Sequence, residues 1–336
     1  FWLSNPIAGQ VSTRNYIRTR TMLNETGSSY MDLIVYYDGL GRPFQTVFKG
    51  ITPSNQNLVS LQEFDEMGRE SKSWLPVVST SDYVAAGDFI SNAPGSYNND
   101  SRPYYQSVYE FSPLNRMVQQ YGPGVAWHSG HSVTTEYLVN TTISPLNCIN
   151  YSVNSSGSLV NNGNYASSRL YVTKTIDEDD NIGYVFIDKL ERAVLTRQMK
   201  DNVPHDTYYV YDDYGNLSFV LQPMYQDNKN LSLYAFQYKY DERNRCVEKK
   251  QPGAETVEYV YDMTDKLVFS QDGNQRALGQ WTFYLYDKFL RLTVAGVCNN
   301  ANTASASSST VTCTYVTSNG GLGCLLYTSP SPRDTR

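Results

Sequence analysis

The sequence predicts an all-β fold of tandem antiparallel β-hairpins, and three observations carry that prediction. A five-residue word recurs nine times: Asp, two variable residues, Gly or Asn, then a basic residue. The chain on either side of the word alternates apolar and polar residues with period two. Tyrosine is heavily over-used, at 29 of 336 residues against 12 Phe and 4 Trp.

The copies begin with Asp38-Gly39-Leu40-Gly41-Arg42, Asp65-Glu66-Met67-Gly68-Arg69 and Ser112-Pro113-Leu114-Asn115-Arg116. Asp177-Glu178-Asp179-Asp180-Asn181, Asp188-Lys189-Leu190-Glu191-Arg192 and Asp212-Asp213-Tyr214-Gly215-Asn216 follow. Asp241-Glu242-Arg243-Asn244-Arg245, Asp262-Met263-Thr264-Asp265-Lys266 and Asp287-Lys288-Phe289-Leu290-Arg291 complete the set. Six of the opening Asp residues follow an aromatic: Tyr37, Phe64, Tyr211, Tyr240, Tyr261 and Tyr286.

Each word reads as turn chemistry. A three-residue hairpin loop is a type I turn followed by a left-handed residue. The opening Asp accepts amides two or three residues on. The fourth position needs positive φ, which Gly adopts freely and Asn or Asp tolerates. Glu191 and Leu290 break that rule, so their turns are expected to be strained or built differently. The fifth, basic residue falls near the Asp, but an exposed pair is worth only about 0–1 kcal/mol. From Asp188 the words step by 24, 29, 21 and 25 residues, room for two strands and two turns each. Phe236, Tyr238 and Tyr240 share one face before the Asp241 word, as Val257, Tyr259 and Tyr261 do before the next.

Organisation along the chain follows from this spacing. Residues 1–29 are basic and Thr-rich and give no firm pattern. Residues 30–168 read as a region of degenerate hairpins with inserted loops: 76–103 a Pro/Ser/Asn/Gly-rich surface insertion, and the gap from Ser112 to Asp177 degenerate hairpins or another insertion. Residues 169–297 are the regular array, and 298–323 a Ser/Thr-rich linker. Residues 324–336 can be encoded by TGT CTC TTA TAC ACA TCT and the codons after it, which resembles a transposase-type sequencing adapter; they are read as a scar and set aside.

Composition excludes several functions. Lys+Arg 27 against Asp+Glu 33 gives a net charge of −6, which argues against a nucleic-acid groove. No run of eighteen apolar residues suggests a membrane span. Cys148, Cys246, Cys298 and Cys313 are scattered, with no zinc spacing, and pairing of Cys298 with Cys313 is left open. His128-Ser129-Gly130-His131 supplies two imidazoles but no further ligand, so it reads as a Gly-containing loop. The acidic run Glu178-Asp179-Asp180 reads as a solvated hairpin tip. No nucleophile elbow, phosphate loop or HExxH motif occurs, so no catalytic residue, metal or cofactor is expected. The tyrosine stripe reads as the lining of a half-wet sheet, with glycan or peptide stacking as the rival use.

Tyr-Asp-x-x-Gly-Arg at twenty-odd spacing, over roughly residues 30–295, resembles the YD repeats of RHS proteins. The segment from Asn15-Tyr16-Ile17-Arg18-Thr19-Arg20 through Trp74-Leu75-Pro76 is similar to the uncharacterised domain that often precedes such repeats in large bacterial surface proteins. The resemblance implies a strip of sheet that curls or spirals into part of a hollow β-shell, secreted or at the bacterial cell surface. It also implies a partner, a C-terminal toxin or effector domain of the same full-length chain that this sequence does not include, and a secretion apparatus. The family's self-cleaving core sequence is absent. On this reading Asp38, Gly41, Arg42, Asp65, Gly68, Arg69, Asn115, Arg116, Asp188, Arg192, Asp212, Gly215, Asp241, Asn244, Arg245, Asp262, Asp287 and Arg291 are structural. The alternative is a cell-surface adhesin that binds carbohydrate through exposed Tyr and Trp.

Overall fold

The computed structural model describes residues 14–287 and 289–299. The proposed linker from residue 300, the Cys313 pairing and the adapter-like tail lie outside the described residues. The chain is all-β, built of consecutive antiparallel hairpins, and it divides into two compact units: 14–136 with 174–182, and 137–173 with 183–299.

The first unit opens on β1 (Tyr16–Met22), in the stretch that gave no firm pattern, paired to β2 (Tyr30–Tyr37). Next come β3 (Pro43–Lys49), β4 (Asn57–Phe64), β5 (Glu70–Trp74) and β6 (Val77–Ser79). After α1 (Ala86–Asn92) follow β7 (Tyr104–Tyr109), β8 (Met117–Tyr121) and β9 (Ser132–Val139). β2, β3 and β4 pair in sequence; β4 then pairs both β5 and β6, β5 pairs β7, and β7 pairs β8. The alternation of β2–β4 puts Ile34, Tyr36, Val47, Val59 and Leu61 on one buried face. Residues 76–103, expected as a surface insertion, close that core instead: Phe89 of α1 is buried with its ring edge-on to Trp74, 6.2 Å between centroids. Phe89 and Ala93 are buried in that core, and Val77, Tyr83, Val84 and Ile90 pack against it, so the apolar residues scattered through a polar stretch pull it down.

The second unit begins with β10 (Ile149–Val153) and β11 (Leu159–Asn164), a separate two-stranded hairpin. The chain passes on through β12 (Tyr171–Ile176) and β13 (Ile182–Ile187). β14 (Ala193–Lys200), β15 (Val203–Tyr211), β16 (Leu217–Leu221), β17 (Ala235–Tyr240) and β18 (Cys246–Lys250) follow. β19 (Thr256–Tyr261), β20 (Leu267–Gln271), β21 (Gln280–Tyr286) and β22 (Leu292–Asn299) end the described chain. From β14 to β22 each strand pairs with the next. Short helices fill two connections: α2 (Pro223–Asn228) and α3 (Leu231–Tyr234), then α4 (Gly273–Ala277).

A single irregularity repeats. In seven hairpins the register shifts by one residue just before an aromatic, six of which directly precede a word, as between Tyr36 and Tyr37 or Val260 and Tyr261, while the seventh, Tyr109, precedes Glu110. The second strand carries the extra residue, a bulge that increases local twist and re-aims the side chains beside it.

Candidate functional site: a ladder of turns

The eight words opened by Asp share one bonding pattern. Each Asp donates its own amide to the carbonyl of residue five, and residue four donates back to the Asp carbonyl, at 2.8–3.2 Å throughout. The carboxylate divides its work. Oδ1 accepts the amides of residues three and five: Leu40 and Arg42 from Asp38 at 2.9 Å, Tyr214 and Asn216 from Asp212 at 3.0 and 2.8 Å. These amides lie two and four residues on, rather than two or three. Where residue five is Arg or Asn, Oδ2 takes its side chain, with Arg42, Arg69, Arg245 and Arg291 donating Nε at 2.7 Å.

Position four is left-handed in every copy. Gly41, Gly68 and Gly215 have φ of +79°, +82° and +86°, and Asn115, Asp180, Asn244 and Asp265 lie between 53° and 62°. Glu191 and Leu290 both sit at 61°. Those two turns are therefore built like the rest, with non-glycine residues in a region they disfavour.

The carboxyls of Asp38, Asp65, Asp177, Asp188, Asp241, Asp262 and Asp287 are held below their ordinary value. Residue five's amide is the largest influence at Asp38, Asp65 and Asp287; against desolvation it keeps each carboxyl below its ordinary value, helped by the arginine side chain. At Asp177 the Asn181 side chain comes first, then its amide.

Copies that were not legible appear at the same kind of place. Asn154 opens a turn closed by Ser158, its Oδ1 accepting the Ser156 and Ser158 amides at 3.1 and 2.8 Å, with Gly157 at φ +78°. In the Ser112 copy the acid is Glu110, two residues earlier. Its amide bonds to the Arg116 carbonyl at 3.0 Å and its carboxylate accepts Nε and Nη2 of Arg116 at 2.7 and 2.8 Å. The Arg116 guanidinium, seconded by the Ser112 hydroxyl, lowers the Glu110 carboxyl to about 2. Asn140 opens a split copy. Its Oδ1 accepts the amides of Arg169 and Leu170, both at 2.8 Å, its own amide reaches the Leu170 carbonyl at 3.1 Å, and Ser168 is the left-handed residue at 62°. The gap from Ser112 to Asp177 thus holds both a degenerate hairpin and an insertion, one nested in the other.

The aromatic and the basic residue act between words. The Arg42 guanidinium lies 4.3 Å from the ring centroid of Phe64, which precedes the next word. Arg69 over Tyr109 and Arg192 over Tyr211 repeat this at 4.7 Å, Arg245 over Tyr261 at 5.1 Å and Lys266 over Tyr286 at 6.0 Å. Each such tyrosine donates its hydroxyl back to the carbonyl of the residue after that basic residue: Tyr109 to Glu70, Tyr211 to Ala193, Tyr261 to Cys246 and Tyr286 to Leu267, at 2.9–3.1 Å. Tyr240 does the same to Leu217 at 2.9 Å across the Asn216 copy. The basic head then reaches the next word's fourth position. Arg69 Nη1 bonds Asn115 Oδ1 at 3.2 Å, Arg245 Nη1 bonds Asp265 Oδ1 at 2.8 Å, and Asn216 Nδ2 bonds Asn244 Oδ1 at 3.0 Å. Gly68 answers both demands: its φ is positive, and a Cβ there would stand 2.8 Å from Arg42 Nη1.

The remaining candidates have local partners. His128 stacks on Tyr121 at 4.7 Å, with Nδ1 against the Gly124 carbonyl and Nε2 against Gln106 Oε1. His131 Nδ1 meets the Glu178 carbonyl at 3.0 Å. Among the described residues no three His, Cys, Asp or Glu side chains gather as a metal would need, and Cys148 and Cys246 are free thiols. Burial pushes the Cys148 thiol up to about 12. No helix of the described residues is long and apolar enough to cross a membrane.

Comparison with known proteins bears on the fold. Residues 10–139 match a domain of unknown function, DUF6443. No curated protein matches the sequence. The crystal structure of TcdB2-TccC3 is similar at 14% identity and a TM-score of 0.57, over 84% of this chain and 13% of that one. TcdB2-TccC3 without its hypervariable C-terminal region gives 0.54 at the same identity and the same shares. The Photorhabdus luminescens Tc holotoxin pore gives 0.56, again at 14% identity over 84% and 13%. At that identity the likeness is one of fold, and this chain spans 13% of the length of these structures.

Proposed function

We propose that this chain is a run of repeats from an RHS/YD-repeat protein and that its work is structural: it builds part of the wall of a β-shell. The observation that carries the reading is where the polar side chains of the repeat are spent. Asp, Arg and Tyr of the word are engaged by their own turn or by the next one. A catalytic site needs groups poised toward a substrate with divergent proton affinities; here the repeated carboxylates all accept the same two turn amides and serve one task. The likeness of fold to TcdB2-TccC3 supports the same reading.

In the full-length protein this wall encloses or presents a C-terminal toxin or effector in competition between cells, after secretion to the cell surface or beyond. The wall itself catalyses nothing and needs no cofactor. An adhesin would have to offer its tyrosine faces outward, whereas Tyr109, Tyr211 and Tyr261 each carry a cation on the ring and a fixed hydroxyl. The test is limited proteolysis of the longer natural protein. A C-terminal segment that survives protease until the β-rich region is denatured supports enclosure; a segment cleaved at the rate of the free segment contradicts it.

A further inference from the structure

The excursion spliced into the Asn140 turn has two fastenings of different kinds. At its base, Asn140 and Ser168 to Leu170 close the turn as a compact word does, so both ends of residues 141–167 meet at one point. The second fastening is a single side chain of β14. Arg197 is 3% exposed and gives Nε and Nη2 to Asp206 of β15 at 2.7 and 2.6 Å. Its Nη1 is left to hold the excursion, at the Pro145 carbonyl (2.6 Å) and at the carbonyl and Oδ1 of Asn147 (both 3.1 Å).

The rest of the contact is also made by side chains: the Tyr208 hydroxyl accepts the Ile149 amide at 3.5 Å, and Tyr151 stands edge-on to Tyr225 at 6.5 Å. Tyr151 meets Tyr208 edge-on at 5.1 Å, and its hydroxyl reaches Gln226 Oε1 at 3.1 Å. Between Tyr151 and Tyr165 on one side and Val194 and Tyr208 on the other lies a cavity of about 50 Å³. Surfaces that enclose a void forfeit the dispersion contacts that make a packed core cohere. The backbone ladders do not cross between the two: the excursion has the β10–β11 ladder and the Asn154 turn, while β14, β15 and β16 pair with one another. Lifting it therefore breaks side-chain bonds and leaves both sets of backbone ladders whole.

We propose that residues 141–167 are a hinged flap, pivoting at Asn140–Leu170 and latched by Arg197, that opens without unpairing the strands beneath it. Opening uncovers the tyrosine-walled recess at Tyr208 and bares Cys148, which is fully buried when the flap is down. Local opening of this kind is a low-energy excursion of an otherwise cooperative structure.

Cys148 is the reporter. Labelling by a thiol reagent, resolved by peptide mass spectrometry, is run on the whole chain beside amide exchange of β14–β20. In Arg197→Met with Asp206→Asn, a pair that strands no buried charge, Cys148 should label about tenfold faster or more, with exchange of β14–β20 unchanged. Labelling that rises together with strand exchange would make the flap part of the cooperative core and overturn the proposal. Labelling that does not change would overturn Arg197 as the latch. A second variant replaces residues 141–167 with Gly-Gly. Retained protection of β14–β20 is expected, and its loss would contradict a flap that is separable from the ladder.

Discussion

Arg245 and Tyr261 belong to successive hairpins and hold each other. The guanidinium lies 5.1 Å from the ring centroid, and the Tyr261 hydroxyl donates at 3.0 Å to the carbonyl of Cys246, the residue after the arginine. Arg245 also gives its Nε to Asp241 of its own turn at 2.7 Å, so its guanidinium serves both hairpins. The word therefore has two functions: Asp and the left-handed residue build a hairpin, the aromatic docks it on its predecessor, and the basic residue takes part in both.

The hydroxyl can be tested alone. Tyr261→Phe keeps the ring under Arg245 and removes one hydrogen bond, leaving the Cys246 carbonyl short of a donor. A loss of about 0.5–1.5 kcal/mol is expected from the urea midpoint. Tyr240→Phe, which loses the bond to Leu217, should behave alike.

Substitutions at position four should have opposite signs. Gly215→Val places a β-branched residue at φ +86° and should destabilise by more than about 1 kcal/mol. Leu290 already sits at 61°, so Leu290→Gly should relieve strain and stabilise by roughly 0.5–1 kcal/mol, after the chain entropy of glycine is set against it. Denaturant midpoints of the three proteins check both signs.

The first unit should weaken in acid. Asp32 of β2, clasped by Arg20 and Arg18 against the desolvation of burial, is lowered from 3.8 to about 2. A carboxyl depressed on folding contributes stability that is present above its unfolded value and is lost as pH falls through the folded one. Urea midpoints of the parent should therefore drop from pH 4 toward pH 2. Asp32→Asn, less stable at neutral pH, should approach the parent over that range.

Much of this architecture was legible because the hairpin is a local object. Asp38, Gly41 and Arg42 lie within one turn, and period two on both sides gives the strands. What was missed needed partners far along the chain or a substituted opener. Asn140 closes on Leu170, so no five-residue window contains that turn. Asn154 lacks both the acid and the base, although Asn offers the same Oδ1. The Ser112 copy concealed its acid because Glu110 stands two residues early. The docking roles of Arg245 and Tyr261 depend on which hairpin lies next, which spacing leaves unstated.

The most direct test of the docking account is a double-mutant cycle on Arg245→Met and Tyr261→Leu, read by urea denaturation of the two single variants, the double variant and the parent. Contact across the hairpins predicts a coupling of at least about 0.5 kcal/mol, the double variant losing less than the sum of the singles. Losses that add to within about 0.3 kcal/mol would show that the two residues stabilise their own hairpins independently, and would contradict the account.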